Sequence, residues 1–215
     1  MPPVSIITTH WAMHEGRSDI MRASYNSLFK TAPNAEIIVI DNGGSIEDSK
    51  WLLEQCHEGK ITFYIRNRKN MHFYYGRNQG LKLATGDYIV IADNDIFYTP
   101  EWLEICVAFL ANNPGQHLAT PLIADPMNAM RPDRWKGEIG AWKLNYRAGS
   151  NCFVMRRSDF EVIGNFDQHR ISGSKFVDKY VRLGYSMAVM PRPRAFDMGL
   201  RDGYNLNSEI ENITP

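Results

Sequence analysis

Hydrophobic residues along this chain come in short dense runs, separated by stretches whose apolar positions recur at the longer spacing of a helix. Four runs in the first half, 4–9 (VSIITT), 36–40 (EIIVI), 61–65 (ITFYI) and 88–92 (YIVIA), are rich in β-branched residues. They are too short for helices and predict strands buried on both faces. Between them, Ser18 can cap a helix reaching about Lys30, and Ser45 with Asp48 forms a capping box that opens a helix to about His57. A third helix is predicted over 76–84, closed by Thr85-Gly86. Thr99-Pro100 starts a fourth, with Trp102, Cys106, Phe109 and Leu110 on one face. Four strand-helix alternations predict right-handed crossovers, a mainly parallel sheet of Rossmann-like α/β class, and ligands at the carboxyl ends of its strands.

The second half is less regular. Residues 121–146 are broken by prolines and polar residues and read as a long connection with one short strand. A strand at 151–155, a helix from Ser158, a helix at 174–183 closed by Gly184 and a strand at 187–190 follow. From Pro191 onward the chain reads as a loop-like, flexible tail. A single domain over 1–215 is expected, divided by its pattern into a regular half at 1–112, a less regular half at 113–190 and the tail at 191–215.

Composition changes this picture only by exclusion. Lys plus Arg and Asp plus Glu both number 24, so the net charge is zero and bulk electrostatic capture of nucleic acid is not expected. Cys56, Cys106 and Cys152 sit among apolar neighbours without zinc spacing, as reduced core cysteines of a cytoplasmic protein would. There is no apolar run of the length a membrane crossing needs and no signal-peptide pattern at the start.

The chemistry is concentrated where predicted strands end. Thr8, Thr9 and His10 follow the first, Asp41-Asn42 the second, and Asp93-Asn94-Asp95 the fourth. Two carboxylates at a strand end lose hydration and repel one another, so the arrangement calls for a cation or a set of donors. A fixed acid after an early strand can hold a ribose or a base edge, and an Asp-x-Asp pair suits a hard divalent ion that bridges a diphosphate. The plainer reading of the acid pair is a polar turn, and that of Asp41-Asn42-Gly43-Gly44 a tight turn that can also aim the carboxylate. Arg77 reads equally as a ligand contact or a surface charge. Gly80, in mid-helix, reads as close packing on the sheet.

The runs VSIITTHW, IIVIDNGG, NMHFYYGRNQGLKLATGDYIVIADND and RRSDFEVIGNFD, in this order, resemble the inverting family 2 glycosyltransferases with the GT-A fold. The resemblance implies a nucleotide-sugar donor, uridine diphosphate being the commonest carrier, held with Mn2+ or Mg2+. By position it implies that Asp41, with Thr8, Thr9 and His10, holds the base or ribose, and that Arg77 and Asn78 line the nucleotide pocket. Asp93 and Asn94 would face the ribose. Asp95, with Asp93 and Asp197, would hold the metal, and Arg192, Arg194 and Arg201 would close over the phosphates. The acceptor, whether glycan, lipid-linked, small molecule or nucleic acid, is left open by the sequence.

One departure stands out. Where the family carries an acidic pair that activates the acceptor hydroxyl, this chain reads Ile171-Ser172-Gly173-Ser174-Lys175, leaving Asp178 and Asp167 as the nearby acids. That motivates a competing reading as a donor-binding pseudoenzyme or regulatory module. A nucleotidyltransferase would need a glycine-rich basic loop after the first strand, and TTHWAMHEGRSD has one glycine.

Overall fold

The computed structural model of the protein describes residues 1–11, 15–124, 135–145, 151–167 and 174–198. The first half alternates as its pattern predicts: β1 (Val4–His10), α1 (Glu15–Thr31), β2 (Glu36–Asp41), α2 (Ile46–His57), β3 (Phe63–Arg66), α3 (Phe73–Leu81), β4 (Tyr88–Asp93), β5 (Ile96–Tyr98) and α4 (Trp102–Asn112). β6 (Leu118–Ala124), β7 (Trp135–Ile139), β8 (Trp142–Asn145), β9 (Cys152–Arg156), α5 (Arg157–Ile163), α6 (Ser174–Arg182) and β10 (Met187–Asp197) complete the described elements.

One sheet runs in the order β3-β2-β1-β4-β9-β6-β10-β8-β7, with β5 paired to β10. Strands β3, β2, β1 and β4 are parallel neighbours. β9 then enters antiparallel between β4 and β6, and β8 pairs antiparallel with both β10 and β7. β10 and β6 are again parallel, so the expected parallel pairing holds across β3, β2, β1 and β4 and recurs in the second half, within a sheet that is mixed as a whole.

Side-chain alternation splits the core into two layers. Ile6, Val39 and Val90 point toward α1, α2 and α4, where Met21, Tyr25, Leu52 and Trp102 meet them. Ile7, Ile38, Ile40, Ile89 and Ile91 point to the opposite face, against Tyr74 and Leu81 of α3 and Phe176 and Tyr180 of α6. This period of two fixes the direction of each residue at the strand ends. Gly80 packs as expected: a Cβ there would stand 2.5 Å from the side chain of Ile7.

Three local expectations change. α1 begins before Ser18, whose hydroxyl donates instead to Asp48 Oδ2 at 3.0 Å. The stretch from 121 holds the end of β6 and, among the described residues, the β7–β8 hairpin, whose Trp142 stacks on Phe109 at 4.0 Å. The largest change concerns the segment after Met190, which continues as strand to Asp197 and pairs with β6 and β5. Its prolines coincide with register shifts around Pro193, where a missing N–H is tolerated. Residues 199–215, including Arg201, lie outside the described residues.

Candidate active site

Parallel register brings the carboxyl ends of three strands together, with His10 opposite Asp41 and Thr9 opposite Asp93. Beside that edge opens a cleft of about 280 Å³. Asp93, Asn94 and Asp95 line one part of it with Thr9; Trp11, Asn42, Asn70, His72 and Phe73 line the rest.

The acid part is held from behind. Arg77, 3% exposed, places Nη2 2.5 Å from Asp93 Oδ1, and its guanidinium lies over the rings of Phe73, Tyr74 and Phe166 at 4.9, 5.7 and 5.4 Å. Burial pushes the Asp93 carboxyl up, Arg77 opposes that, and Asp197 adds to it. Asn94 Nδ2 stands 3.0 Å from His10 Nδ1, while His10 Nε2 stands 3.3 Å from Asp48 Oδ2. Burial raises the Asp48 carboxyl, but hydrogen bonds with His10 and Ser18 outweigh it and hold Asp48 below the ordinary range. The Asn94 amide nitrogen only donates and the Asp48 carboxylate only accepts, an arrangement that a ring with Nδ1 as acceptor and Nε2 as donor satisfies.

Asp95 is different. Burial, together with the charges of Asp93 and Asp197 and against the pull of Arg17, pushes its carboxyl up to about 7. Asp197 arrives through β10: it pairs in register with Ile96, and the N–H of Met198 donates to the Asp95 carbonyl at 2.7 Å. The crowded negative charge and all-oxygen donors fit a hard divalent ion with Asp95 and Asp197 as its protein ligands, since magnesium and manganese commonly take one or two carboxylates and leave their other positions to phosphate and water. Among the described residues no three His, Cys, Asp or Glu side chains are grouped to hold a metal by themselves.

Several residues expected at the ligand lie elsewhere. Thr8 and His10 share the parity of Ile6 and turn away from the cleft; Thr8 Oγ1 meets Tyr25 Oη at 3.2 Å, and both residues are buried. Asp41, fully buried, accepts from Gly44 N at 2.8 Å, Ser49 Oγ at 2.6 Å, Tyr64 Oη at 2.8 Å and Arg66 Nη1 at 2.6 Å. Four donors from the chain occupy the carboxylate expected to hold a base, and Asn42 takes its place in the cleft wall. Asn78 clamps the segment after α5 instead, exchanging bonds of 2.8 and 2.9 Å with the backbone of Phe166. Arg194 reaches Glu101 at 3.4 Å, and Arg192 is exposed on β10; neither lines the cleft, because strand pairing holds the segment expected to close as a loop. Asp167 and Asp178 are half-buried outside the cleft lining, and residues 171–173 of the stretch lacking the acidic pair lie outside the described residues.

The cleft also contains residues that sequence reasoning passed over: Trp11, Asn70, His72 and Phe73. His72 adopts φ 73 and ψ 146, a region nearly reserved for glycine that costs roughly 1–3 kcal/mol for other residues. The only sequence signal was the dense aromatic run HFYY after a polar stretch.

Comparison with known proteins bears on family and fold. Residues 6–181 match the family described as Glycosyl transferase family 2. An uncharacterized glycosyltransferase of Rickettsia bellii is 36% identical over 86 residues, covering 40% of this chain and 12% of that protein. A mannosyltransferase of Pyrobaculum calidifontis, solved with GDP-Man and Mn2+, superposes with a TM-score of 0.75 at 17% identity, covering 94% of this chain and 59% of the other. GalNAc-T7, solved with UDP, GalNAc and Mn2+, gives 0.73 at 17% identity over 95% of this chain and 45% of that one. The chain thus spans less than two thirds of each of these proteins, from 12% to 59%. It belongs to glycosyl transferase family 2 and has the GT-A fold.

Proposed function

We propose that this chain transfers a sugar from a nucleoside diphosphate sugar to an acceptor hydroxyl, with Mn2+ or Mg2+ held by Asp95 and Asp197. The observation that carries the reading is the convergence of Asp93 and Asp95, which line the cleft at the β4 end, with Asp197 of β10, which pairs with Ile96 and whose charge acts on both carboxyls. The ion, when bound, supplies positive charge against the departing diphosphate. The chain's own residues do the rest. Arg77 holds Asp93 facing the cleft, where its outer oxygen can accept from a ribose hydroxyl. His10 holds the Asn94 amide nitrogen and so fixes this residue in the cleft wall.

Metal-bound structures of two relatives, one with a guanosine and one with a uridine nucleotide, support a nucleotide-sugar donor for this chain. Titrating the protein with UDP and with GDP, with and without Mn2+, tests this. Metal-dependent binding of one of them, lost in Asp95→Ala, is expected; affinity unchanged by that substitution refutes the assignment. The stretch Ile171-Ser172-Gly173-Ser174-Lys175 favours a second reading, donor binding without transfer. Metal-dependent binding with neither transfer nor donor hydrolysis on a panel of sugar, lipid-linked and nucleotide acceptors would select it.

A further inference from the structure

His72 is held in a backbone conformation that its side chain makes unfavourable, with φ 73 and ψ 146. The surroundings over-determine it. Its N–H donates to Asn70 Oδ1 at 2.8 Å, and its carbonyl accepts from Asn42 Nδ2 at 3.1 Å and from the N–H of Gly76 at 3.2 Å. Glycine would satisfy the same bonds without strain. A ring kept against that strain at the wall of a cleft points to a use for the ring.

The placement of the imidazole says which use. It stacks on Phe73 with centroids 4.4 Å apart, and Nδ1 stands 3.5 Å from the N–H of Tyr74. An Nδ1 that accepts leaves the proton of the neutral ring on Nε2, which is then a donor. The cleft is chemically divided. Its acid corner at Asp95 suits the metal and phosphates, whereas the described residues that line the part around His72 are amide and aromatic, with Trp11 49% and Phe73 39% exposed. A diphosphate drawn to the acid corner leaves its base at the aromatic end, where exposed rings can stack on any base and so cannot choose among them. Choice needs a directional group.

We propose that His72 is a specificity-determining residue for the donor nucleobase, donating from Nε2 to an exocyclic carbonyl oxygen of the kind uracil and guanine carry and adenine lacks. The inference rests on the donor-binding reading above. A site built to donate to a carbonyl discriminates strongly against a base without one.

Calorimetric titration of UDP, GDP and ADP with Mn2+, on the wild type, His72→Gly and His72→Asn, tests it alongside thermal unfolding of each. The wild type should bind UDP or GDP at least tenfold more tightly than ADP. His72→Gly should bring that gap within about threefold while its melting temperature stays level or rises by a few degrees, because the strain is released. His72→Asn, which keeps an N–H donor on the same strained backbone, should retain more of the gap. A wild type that binds none of the three nucleotides overturns the donor reading and this inference together. A wild type that binds all three alike, or a glycine variant that keeps the full gap, overturns this inference and leaves the donor reading standing. Equal weakening toward all three nucleotides with a lowered melting temperature would make His72 a structural residue only.

Discussion

The guanidinium of Arg77, boxed by three aromatic rings, closes on the carboxylate of Asp93 at 2.5 Å. One member of the Asp-Asn-Asp turn is thereby answered from within the chain, which leaves Asp95 and Asp197 as the proposed holders of the cation.

Removing Asp93 should therefore cost stability as well as binding. Asp93→Asn takes that counter-charge from a guanidinium that is 3% exposed. Breaking a fully buried pair costs about 3–5 kcal/mol, and because the Asp93 side chain is 35% exposed we expect about 1–3 kcal/mol in urea unfolding. Arg77→Lys should lose a similar amount, since a point charge cannot reproduce the flat stack on Phe73.

Asp95 gives a pH dependence with a defined sign. Its carboxyl, raised to about 7 in the folded protein, stands above its value in the unfolded chain, about 3.9. The folded state therefore binds that proton more tightly, and this contribution to stability is present below about pH 4, declines between pH 4 and 7, and is gone above. Asp95→Asn should flatten that interval in the metal-free protein. At pH 8 it should raise stability by on the order of 1–2 kcal/mol, the full shift being discounted for partial exposure. Thermal unfolding followed from pH 4 to 8 on both proteins is the check; a variant as pH-sensitive as the wild type would mean that a group other than Asp95 sets the slope.

His10 positions Asn94 without lining the cleft. His10→Leu strips Asp48 of a buried partner and Asn94 of its acceptor. An expected loss of about 2–4 kcal/mol follows from leaving a buried carboxylate less compensated. Asp48→Asn in the His10→Leu background should recover part of it, measurable as a double-mutant cycle in denaturant.

Two glycines compare packing against a side chain with packing against backbone. A Cβ on Gly80 would stand 2.5 Å from Cγ2 of the buried Ile7, a branch methyl that moves only if χ1 turns, whereas one on Gly86 would stand 2.6 Å from the backbone nitrogen of Ser5, in a strand that cannot yield. Gly86→Ala should be the more destabilising, by roughly 2 kcal/mol or more, and Gly80→Ala should cost about 1–3 kcal/mol. Equal midpoints in urea would show that β1 moves as readily as a side chain.

The alternation of strand and helix through α4 was legible because each signal is local. Short β-branched runs, the Ser45 cap, which accepts from the N–H of Asp48 at 3.0 Å, and the apolar face of Trp102, Cys106 and Leu110 each depend on neighbours a few residues apart. The β10 extension was not legible. Pro191 and Pro193 read as strand breakers, and only partners distant in sequence, Leu122 and Tyr98 among them, show that the bulged strand continues.

By itself the sequence determined that acids would stand at the carboxyl ends of the first-half strands, since the chain order of runs and crossovers fixes that edge. Tertiary structure decided which of those acids look outward. The parity of each strand residue against two helix layers turned Thr9 to the cleft and Thr8 and His10 inward. Tyr64 and Arg66 from β3 joined the nearby Gly44 and Ser49 in enclosing Asp41. A strand more than a hundred residues from β1 brought Asp197 to Asp95, and a web of side-chain bonds held His72 where its own backbone preference would not. Those outcomes depend on contacts between residues far apart in the chain, and no local period encodes them.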